Sequence, residues 1–467
     1  MLSTKQDNVL TTSNTCFLKK FDGSDREPRA LQVEALGWLS ENWSSPALVM
    51  QCPTGTGKSA IARAIQLQTD AAVLVPNNAL LDQYGDDYPT LNTLKGADHY
   101  ECSLGGDHED CTDCAYVRAK IRAKNEPTVF NPLSFIYSRV KPSVIVVDEA
   151  HKLDDFMRLL VSCKFNYLKY TPPKNAGWAW VAEKANHYKS IATLYQQRNE
   201  LKKAAMANSR ARFLSNLSKT LRDCPKDFIT YYDDEGSWIV EPLEVPSKIY
   251  DKLFGKAKVV LLSATIPPKW AKKVLGSRVF KYLDVPSPIP KENRKILPRY
   301  AGLKASSSPL EIAQWIKKQL KEFKGNAIVH TTYSMGLELA KFFPGAHIHT
   351  KQTKHQTLKR FKRDGGLWIA AGASEGIDLS GDTGRVNLIP IIQFENNRNP
   401  LGQALFEKDE ENYYLKAAVT LIQQAGRTTR GPDDYSITVV GDNRMTWLLK
   451  KCDKELPKSF KESIVWR

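Results

Sequence analysis

A glycine-rich loop early in the sequence has the composition of a phosphate-binding site. It reads Cys52-Pro53-Thr54-Gly55-Thr56-Gly57-Lys58-Ser59 and separates a short apolar segment from a segment with helical periodicity. Glycines let the backbone curl so that its N–H groups face phosphate oxygens, and the N-terminus of the following helix adds a favourable dipole. Lys58 would reach the β- and γ-phosphates, and Ser59 would ligate Mg²⁺. A chance match is the alternative, but the strand–loop–helix setting favours ATP binding.

An acidic pair follows a second apolar segment and could complete the nucleotide site. Asp148-Glu149-Ala150-His151 comes directly after the segment 144–147, which contains only Val and Ile. A carboxylate at the C-terminal end of a parallel strand faces the phosphate loop across the sheet edge. Asp148 would hold the Mg²⁺, and Glu149 would orient and deprotonate the attacking water. Two solvated acids at the end of a strand are the alternative, which the upstream phosphate loop makes the weaker one.

Short apolar segments at 47–51, 71–75, 143–147 and 259–262 would position these residues. Each has the character of a buried strand, and helical patterns lie between them. This alternation predicts a parallel sheet covered by helices on both faces. Similar segments return at 327–329, 367–370 and 436–440, after the proline-rich stretch 285–290. The sequence therefore predicts two α/β lobes joined by a linker.

The composition favours a polyanionic partner. The chain has 467 residues and a formal net charge of +16, and Lys and Arg that neutralise phosphates release condensed counterions. A basic protein with an ordinary solvated surface is the alternative. The first residues lack the apolar core of a signal peptide, and no run of about 18 apolar residues occurs. We therefore expect a cytoplasmic protein, or a nuclear one if the source is eukaryotic, and no membrane partner.

The motifs of the first lobe resemble those of the superfamily 2 helicases. Arg29-Ala30-Leu31-Gln32 precedes the phosphate loop, as the adenine-sensing glutamine element of that superfamily does, and an exposed Gln32 on an amphipathic helix is the equal alternative. The stretch from Val75 through Gln83 resembles the strand-end loop that touches the DNA backbone. Ser263-Ala264-Thr265 resembles the motif that couples hydrolysis to movement between lobes.

Two motifs of the second lobe narrow the resemblance to the XPD/DinG helicases. Glu375-Gly376-Ile377-Asp378 resembles their Glu-Gly-x-Asp element, and the string from Gln423 to Arg430 resembles their Gln-x-x-Gly-Arg-x-x-Arg element. The resemblance covers residues 26–446 in order. It implies that Arg427 and Arg430, one helical turn apart, neutralise charge on the γ-phosphoryl group from the opposite lobe. A basic, solvated helix is the weaker alternative.

Pattern and resemblance together predict an α/β fold with two RecA-like parallel-sheet lobes. The first lobe spans 26–285 and carries a cysteine-bearing insertion at 96–125 and a helical, arch-like insertion at 152–255; the second spans 286–467. The expected catalytic residues are Lys58, Asp148, Glu149, Gln423, Arg427 and Arg430. The expected contacts to ATP and Mg²⁺ are Gln32, Thr54, Gly55, Thr56, Gly57, Lys58, Ser59, Asp148, Glu375, Gly376 and Asp378.

Cys102, Cys111 and Cys114 lie between the phosphate loop and the acidic pair. XPD/DinG helicases often hold a [4Fe–4S] cluster on four cysteines in this interval, so the resemblance implies a metal site that lacks one cysteine. Zn²⁺ accepts three thiolates and one imidazole, and His99 or His108 could complete such a site. A cluster completed by a distant residue, a zinc site and a segment without metal all remain open.

Basic and aromatic side chains could hold a single strand by its phosphates and bases. The basic candidates are Lys202, Lys203, Arg210, Arg212, Lys219, Lys351, Lys354, Lys359, Arg360, Lys362 and Arg363. Trp178 and Trp180 could stack bases. For any one of these residues, a solvated charge or a core tryptophan is the more common role.

These features predict an ATP-dependent DNA helicase, or single-strand translocase, that hydrolyses ATP between two lobes. The resemblance implies movement from 5′ to 3′, and we expect a monomer that acts on single strands and on forked or tailed duplexes. An RNA helicase of the Asp-Glu-Ala-His type is one alternative. A single-strand-binding clamp that is gated by ATP and does not unwind is another, against which Lys58, Glu149, Arg427 and Arg430 argue.

Overall fold

The computed structural model describes residues 21–23, 26–100, 114–166, 168–174, 176–350, 352–372, 379–397 and 399–466. These residues form two parallel sheets, each covered by helices, and a smaller antiparallel sheet. Across these ranges, none of the helices combines the length and the apolar character needed to cross a membrane.

The strands and helices alternate along most of the chain. The strands are β1 (Ala47–Gln51), β2 (Ala72–Leu74), β3 (Asn92–Leu94), β4 (Thr128–Phe130), β5 (Val144–Asp148), β6 (Cys163–Phe165), β7 (Phe228–Tyr232), β8 (Trp238–Pro242), β9 (Lys258–Ser263), β10 (Phe280–Asp284), β11 (Arg294–Leu303), β12 (Ala327–Thr331), β13 (His347–Ile348), β14 (Leu367–Ala371), β15 (Val386–Ile389) and β16 (Ser436–Asp442). The helices are α1 (Ala30–Glu41), α2 (Lys58–Gln68), α3 (Asn78–Asp87), α4 (Ala115–Asn125), α5 (Pro132–Ser138), α6 (Leu153–Leu159), α7 (Trp178–Gln197), α8 (Leu201–Asp223), α9 (Ser247–Phe254), α10 (Pro268–Leu275), α11 (Pro309–Glu322), α12 (Tyr333–Ala340), α13 (Lys354–Asp364), α14 (Pro400–Lys408), α15 (Glu410–Ala425), α16 (Met445–Cys452) and α17 (Lys458–Glu462).

The sheet of the first lobe has the strand order β10-β1-β9-β5-β2-β4-β3, and its strands pair in parallel. The sheet has a hydrophobic core on each face, and alternate residues of β1 pack into one or the other. Ala47 and Val49 pack on one face, and Leu48 and Met50 pack on the other. A strand that is buried on both faces has a continuous apolar sequence, which is why the segment 47–51 could be recognised. The predicted parallel lobe is confirmed.

The sheet of the second lobe has the order β11-β16-β15-β12-β14-β13 and is also parallel. Its strand β11 was not predicted, because half-exposed and polar residues interrupt its apolar ones. The other side of β11 is partly covered by the last residues of the chain: the N–H of Ile296 donates to Ser463, and the N–H of Val465 donates to Ile296. The second predicted lobe is confirmed as well.

The insertion between β5 and β9 contains strands as well as helices. Helices α7 and α8 form a hairpin, and β6, β8 and β7 form an antiparallel sheet in that order. The sequence pattern missed β7 because it is half-exposed along its length and lacks a continuous apolar run, whereas β8 begins with the buried apolar run Trp238-Ile239-Val240, which was overlooked. The hairpin agrees with the helical character predicted for the insertion at 152–255, but the insertion as a whole is mixed.

An aromatic cluster forms the core of this insertion. The ring of Trp180 lies 5.0 Å from that of Phe165 and 5.3 Å from that of Trp238. Trp180 is only 9% exposed, so the suggestion that it stacks nucleic acid bases is wrong: its indole is already packed in the protein. Trp178, two residues earlier on the same helix, is 47% exposed.

Ion pairs connect the first lobe and its insertion to the second lobe. Lys408, at the end of α14, lies 2.9 Å from the Asp227 carboxylate of the insertion. Lys269 on α10 lies 2.9 Å from the Glu411 carboxylate at the start of α15. The lobes therefore meet through charged side chains as well as at the cleft described next.

Candidate active site

Three neighbouring strands bring the sequence motifs of the first lobe together. The phosphate loop (residues 52–59) follows β1, Ser263 ends β9 and Asp148 ends β5, and these strands are adjacent in the order β1-β9-β5. All three point the same way, so their C-terminal ends form one edge of the sheet. The N–H of Cys52 donates to the Ser263 carbonyl at 2.7 Å, which fixes the start of the loop against β9.

The phosphate loop has the conformation that its glycines allow. Gly55 and Gly57 have φ values of +88° and +84°, a region that residues with a Cβ atom rarely occupy. Gly57 is the N-cap of α2, which begins at Lys58. The Thr56 hydroxyl donates to the Pro53 carbonyl at 2.8 Å and closes the turn from within. Backbone N–H groups at the start of α2 are thereby available to an anion.

Gln32 supports the phosphate loop from behind. Its Oε1 accepts from the N–H of Arg29 at 2.8 Å, and its Nε2 donates to the Gly57 carbonyl at 3.3 Å. The Arg29 guanidinium donates to the Gly55 carbonyl at 2.7 Å. Gln32 is only 4% exposed, so the alternative of an exposed glutamine is wrong. Contact with adenine stays a prediction.

Asp148 is a buried carboxylate with several hydrogen-bond donors around it. Its Oδ2 accepts from the hydroxyl of Tyr84 at 2.9 Å and from that of Ser59 at 3.3 Å, and its Oδ1 accepts from the N–H of Glu149 at 2.9 Å. Burial, together with the neighbouring charge of Glu149, raises the pKa of Asp148 to about 6. A carboxylate in this setting gains from a bound cation.

The pair of Ser59 and Asp148 fits Mg²⁺. Both supply oxygen ligands, which Mg²⁺ prefers, and their side-chain oxygens are close enough to face one ion. The raised pKa of Asp148 indicates that protein donors alone do not fully stabilise its charge. The site thus has the donor chemistry that an ATP–Mg²⁺ complex requires.

Glu149 occupies the centre of a cationic group. Its Oε1 lies 3.3 Å from Lys58 Nζ, and its Oε2 lies 3.5 Å from Nδ1 of His151. Burial raises the pKa of Glu149, but the charges of Lys58, His151 and Arg427 outweigh it and hold that pKa at about 2. Glu149 also has a φ of +50°, a left-handed conformation that costs a non-glycine residue about 1–2 kcal/mol. Such strain is typical of functional positions.

His151 and Ser263 join this group, although neither was among the expected site residues. Nδ1 of His151 lies 2.6 Å from the Ser263 hydroxyl, which donates to Glu149 Oε2 at 3.4 Å. Both residues lie within motifs already recognised in the sequence, Asp148-Glu149-Ala150-His151 and Ser263-Ala264-Thr265. Their place in the site could therefore have been predicted from the sequence. Tyr84, by contrast, belongs to no motif that points to Asp148.

The two arginines of the second lobe reach the nucleotide cleft from a loop, and not from the face of a helix. Helix α15 ends at Ala425, and the N–H of its C-cap, Gly426, donates to the Ile422 carbonyl at 3.0 Å. Gln423 therefore lies in the last turn, whereas Arg427 and Arg430 lie beyond it on the segment 426–435, called the arginine loop here. The expectation that both arginines share one helix is wrong, because the helix stops at Gly426.

The phosphate loop and the arginine loop line one cavity of about 560 Å³, a volume within the usual range for small-molecule sites. Its walls include Thr54, Gly55, Gly57, Lys58, Ser59, Asp148, Glu149, His151, Gln423, Arg427 and Arg430. The loops also touch directly: a Cβ atom on Gly426 would lie 3.3 Å from the Thr54 hydroxyl. Residues predicted to act on one nucleotide thus converge from both lobes.

Several expected site residues lie outside the described part of the chain: Cys102, Cys111, Glu375, Gly376 and Asp378. Cys114 is buried at the start of α4, where its Sγ accepts from the N–H of Val117 at 3.4 Å. Nε2 of His99 lies 2.8 Å from Nδ2 of Asn78. Among the residues that are described, no three His, Cys, Asp or Glu side chains are grouped so as to hold a metal. The cysteine site stays a prediction.

Known proteins resemble both lobes. Residues 25–204 match the family of the type III restriction enzyme res subunit, and residues 312–463 match the helicase C-terminal domain family. A solved XPD helicase superposes with a TM-score of 0.62 at 15% identity, over 94% of this chain and 99% of that one. Xpd4 of S. tokodaii gives a TM-score of 0.58 at 14% identity, over 93% and 99%.

The second lobe is thus similar to a helicase domain family, and the fold as a whole is similar to that of XPD helicases. Two curated proteins are each 26% identical to this chain in the matching part. A probable ATP-dependent helicase of Methanocaldococcus jannaschii matches over 50% of this chain and 41% of that protein. The ATP-dependent DNA helicase YoaA of Escherichia coli matches over 37% and 30%. The chain therefore spans less than half the length of the curated relatives it matches.

Proposed function

We propose that the protein couples ATP hydrolysis between its lobes to movement along single-stranded DNA and to unwinding of duplexes. The observation that carries this proposal is the convergence of Lys58 and Glu149 with Arg427 and Arg430 on one cavity. A site that needs both lobes for hydrolysis ties each turnover to a relative movement of the lobes. That coupling is what a nucleic acid motor requires.

In the proposed reaction, Lys58 and the N–H groups at the start of α2 bind the phosphates of ATP. Ser59 and Asp148 hold Mg²⁺, which neutralises phosphate charge when bound. As Lys58 engages the phosphates, it leaves Glu149, with which it forms an ion pair at 3.3 Å. The pKa of Glu149 then rises toward its ordinary value, and the carboxylate becomes a better base for the attacking water.

Arg427 and Arg430 supply cations to the γ-phosphoryl group from the second lobe. Arginines in this role accelerate phosphoryl transfer by about 10³–10⁵-fold. Arg427 already lies close enough to Glu149 to lower its pKa, which supports a place beside the reacting atoms. Gln423, one turn before Gly426, would face the same phosphates.

DNA as the track, and movement from 5′ to 3′, are proposed from the family resemblance and from charge. The chain has a net charge of +16, and one relative is itself named a DNA helicase. Exposed basic side chains that could follow a strand are Lys202, Lys203, Arg212 and Lys219 on α8 and Lys359, Arg360, Lys362 and Arg363 on α13. Neutralised phosphates make binding fall steeply as salt rises.

We also propose that the division into lobes at 26–285 and 286–467 describes the moving units and that a monomer suffices. Strands of the first sheet all precede residue 285, and strands of the second all follow it. Both loops that line the cavity come from one chain, so a second copy is not needed to complete the site. Light scattering during turnover tests this directly: activity confined to a dimer would contradict it.

The first test is ATP turnover and strand separation by the wild type and Lys58→Ala. We expect single strands to stimulate the wild-type ATPase, and Lys58→Ala to abolish turnover and unwinding while strand binding remains. Lys248→Ala on α9 is the control, because Lys248 pairs with Asp223 on the protein surface. A wild type that binds strands and ATP but never separates a duplex would leave the clamp as the better description.

The second test compares substrates of matched sequence. Duplexes with a 5′ single-stranded tail, with a 3′ tail, or with a fork are offered as DNA and as RNA. We expect separation of the 5′-tailed and forked DNA. If the RNA duplexes separate faster than the DNA duplexes, the protein is better described as an RNA helicase. A preference for 3′-tailed duplexes would reverse the proposed direction of movement.

A further inference from the structure

Tyr84 contacts the active site from an element that the proposed mechanism does not use. Its hydroxyl donates to Asp148 Oδ2 at 2.9 Å, across 64 residues of sequence. The same oxygen accepts from Ser59, so the phenol, the serine hydroxyl and the carboxylate form one compact group. Tyr84 belongs neither to the phosphate loop nor to the Asp-Glu-Ala-His string.

The tyrosine is held firmly. It is only 1% exposed and packs in the core between the first sheet and its helices. Its ring lies 6.2 Å from that of Tyr88, one turn later. Burial raises the pKa of the Tyr84 hydroxyl well above its ordinary value, so it remains a proton donor at any ordinary pH.

We propose that Tyr84 is a positioning residue for the carboxylate that holds the divalent cation. The inference rests on the proposed function of Asp148. A hydrogen bond to one lone pair of Oδ2 fixes the rotation of the carboxylate, so that its remaining lone pairs face the cleft. Partners of this kind orient ligating side chains and commonly change metal affinity by about 10–100-fold when removed.

Helix α3 gives this contact a second consequence. Asn77, Ala79, Leu80 and Gln83, from the N-cap and the first two turns of α3, line the same cavity as the phosphate loop. A single helix of ten residues thus joins the cleft wall to the Asp148 carboxylate. The position of the Tyr84 hydroxyl, and with it the orientation of the Asp148 carboxylate, therefore depends on the position of α3.

Tyr88 offers a matched control on the same element. Its hydroxyl donates to a buried aspartate, Asp22, at 3.1 Å, and its side chain is 6% exposed. Tyr88→Phe therefore removes the same kind of hydrogen bond at the end of the same helix and leaves Asp148 untouched. Any effect shared by Tyr84→Phe and Tyr88→Phe reflects the packing of α3 and not the cation site.

The experiment is a titration of the full chain with Mn²⁺, followed by electron paramagnetic resonance, in the presence of a non-hydrolysable ATP analogue. We expect Tyr84→Phe to raise the Kd for Mn²⁺ by about tenfold and Tyr88→Phe to change it less than twofold. Binding of the analogue without a divalent cation should be equal in all three proteins, because the phosphate loop is not altered.

An unchanged Kd for Tyr84→Phe overturns the inference, as does an equal loss in both variants or weaker analogue binding without a cation. These outcomes are distinct from a failure of the proposed function. A wild type that binds no Mn²⁺ with the analogue contradicts the nucleotide site itself. A wild type that binds both but neither hydrolyses ATP nor unwinds DNA contradicts the motor and leaves the role of Tyr84 measurable.

Discussion

The phosphate loop of one lobe lies directly against the arginine loop of the other: a Cβ atom on Gly55 would collide with the carbonyl oxygen of Arg430. The absence of a side chain at position 55 is therefore needed for the lobes to close this far. Because Arg427 precedes Arg430 on the same loop, this contact controls how near both cations come to the phosphates.

Gly55→Ala should separate nucleotide binding from hydrolysis. The new methyl group pushes the arginine loop back, and a misplacement of about 1 Å can cost a reaction about 100-fold in rate. We expect kcat for ATP to fall by about that factor, with a much smaller change in the Kd for ATP. Steady-state kinetics and equilibrium binding of a fluorescent analogue measure the two quantities.

The control for this substitution is Gly236→Ala. Gly236 also has a positive φ, +79°, but a Cβ atom there meets nothing within 4 Å. It should reproduce the backbone strain, about 1 kcal/mol, without the collision. Equal loss of activity in both variants would show that strain, and not closure, explains the effect.

Arg427→Ala should lower kcat by about 10³-fold or more and leave single-strand binding in the absence of ATP unchanged. The reason is that Arg427 lies at the nucleotide cavity, where it already acts on Glu149. Arg360→Ala on the exposed face of α13 is the matched arginine of the same lobe. We expect the reverse pattern there: a small loss of strand binding and an ATPase that recovers at saturating DNA.

The stability of the protein should depend on His330 in mildly acidic solution. Burial and the nearby charge of Arg427 lower the pKa of His330 to about 3. The unfolded chain binds a proton near the ordinary histidine pKa and the folded chain does not, so stability falls as pH drops below about 6.5. From pH 7 to pH 5 this one group should cost about 2 kcal/mol.

His330→Gln removes the titrating ring and should reduce that loss by the same amount. Urea unfolding of the wild type and the variant at pH 7 and pH 5 gives the difference directly. His347→Gln, at the start of β13 in the same sheet, serves as the comparison. If His330→Gln and the wild type lose equal stability on acidification, His330 is not the group responsible.

The cysteine segment predicts a bound metal that depends on Cys114. We expect anaerobically prepared protein to contain iron or zinc in a fixed ratio to the chain, and Cys114→Ser to lose it, because removal of one thiolate leaves too few ligands. Cys224→Ser is the control, since Cys224 ends α8 far along the chain from this segment. Broad absorption in the visible blue would identify an iron–sulfur cluster, and metal-free wild-type protein would refute the site.

Much of the fold could be predicted because its central strands are buried on both faces. The predicted segments 47–51 and 143–147 are continuously apolar at 47–50 and 144–147, and β1 and β5 lie at the predicted positions within one residue. The edge strand β11 and the half-exposed β7 have no such run, so their sequences do not distinguish them from loops. Burial on both faces made these central strands recognisable, although the buried strands β8 and β15 were missed as well.

Site residues could be predicted when they lie within one short motif. They could not be predicted when residues far apart in the sequence come together only in the folded chain. The phosphate loop and Asp148-Glu149 could be read locally, because strand, turn and helix together dictate their geometry. Nothing near Tyr84 in the sequence points to Asp148, which lies 64 residues away. The end of α15 at Gly426 was missed for another reason: a single glycine does not reveal whether a helix continues through it.

The ion pairs between the lobes make the association of the two lobes sensitive to ionic strength, whether or not a nucleic acid is bound. The pairs of Lys408 with Asp227 and of Lys269 with Glu411 are partly exposed, and each contributes about 0–1 kcal/mol. The electrostatic screening length falls from about 10 Å in 0.1 M salt to about 3 Å in 1 M salt. Concentrated salt should therefore weaken this protein in two places: at the proposed contacts with a polyanion and at the contacts between its own lobes.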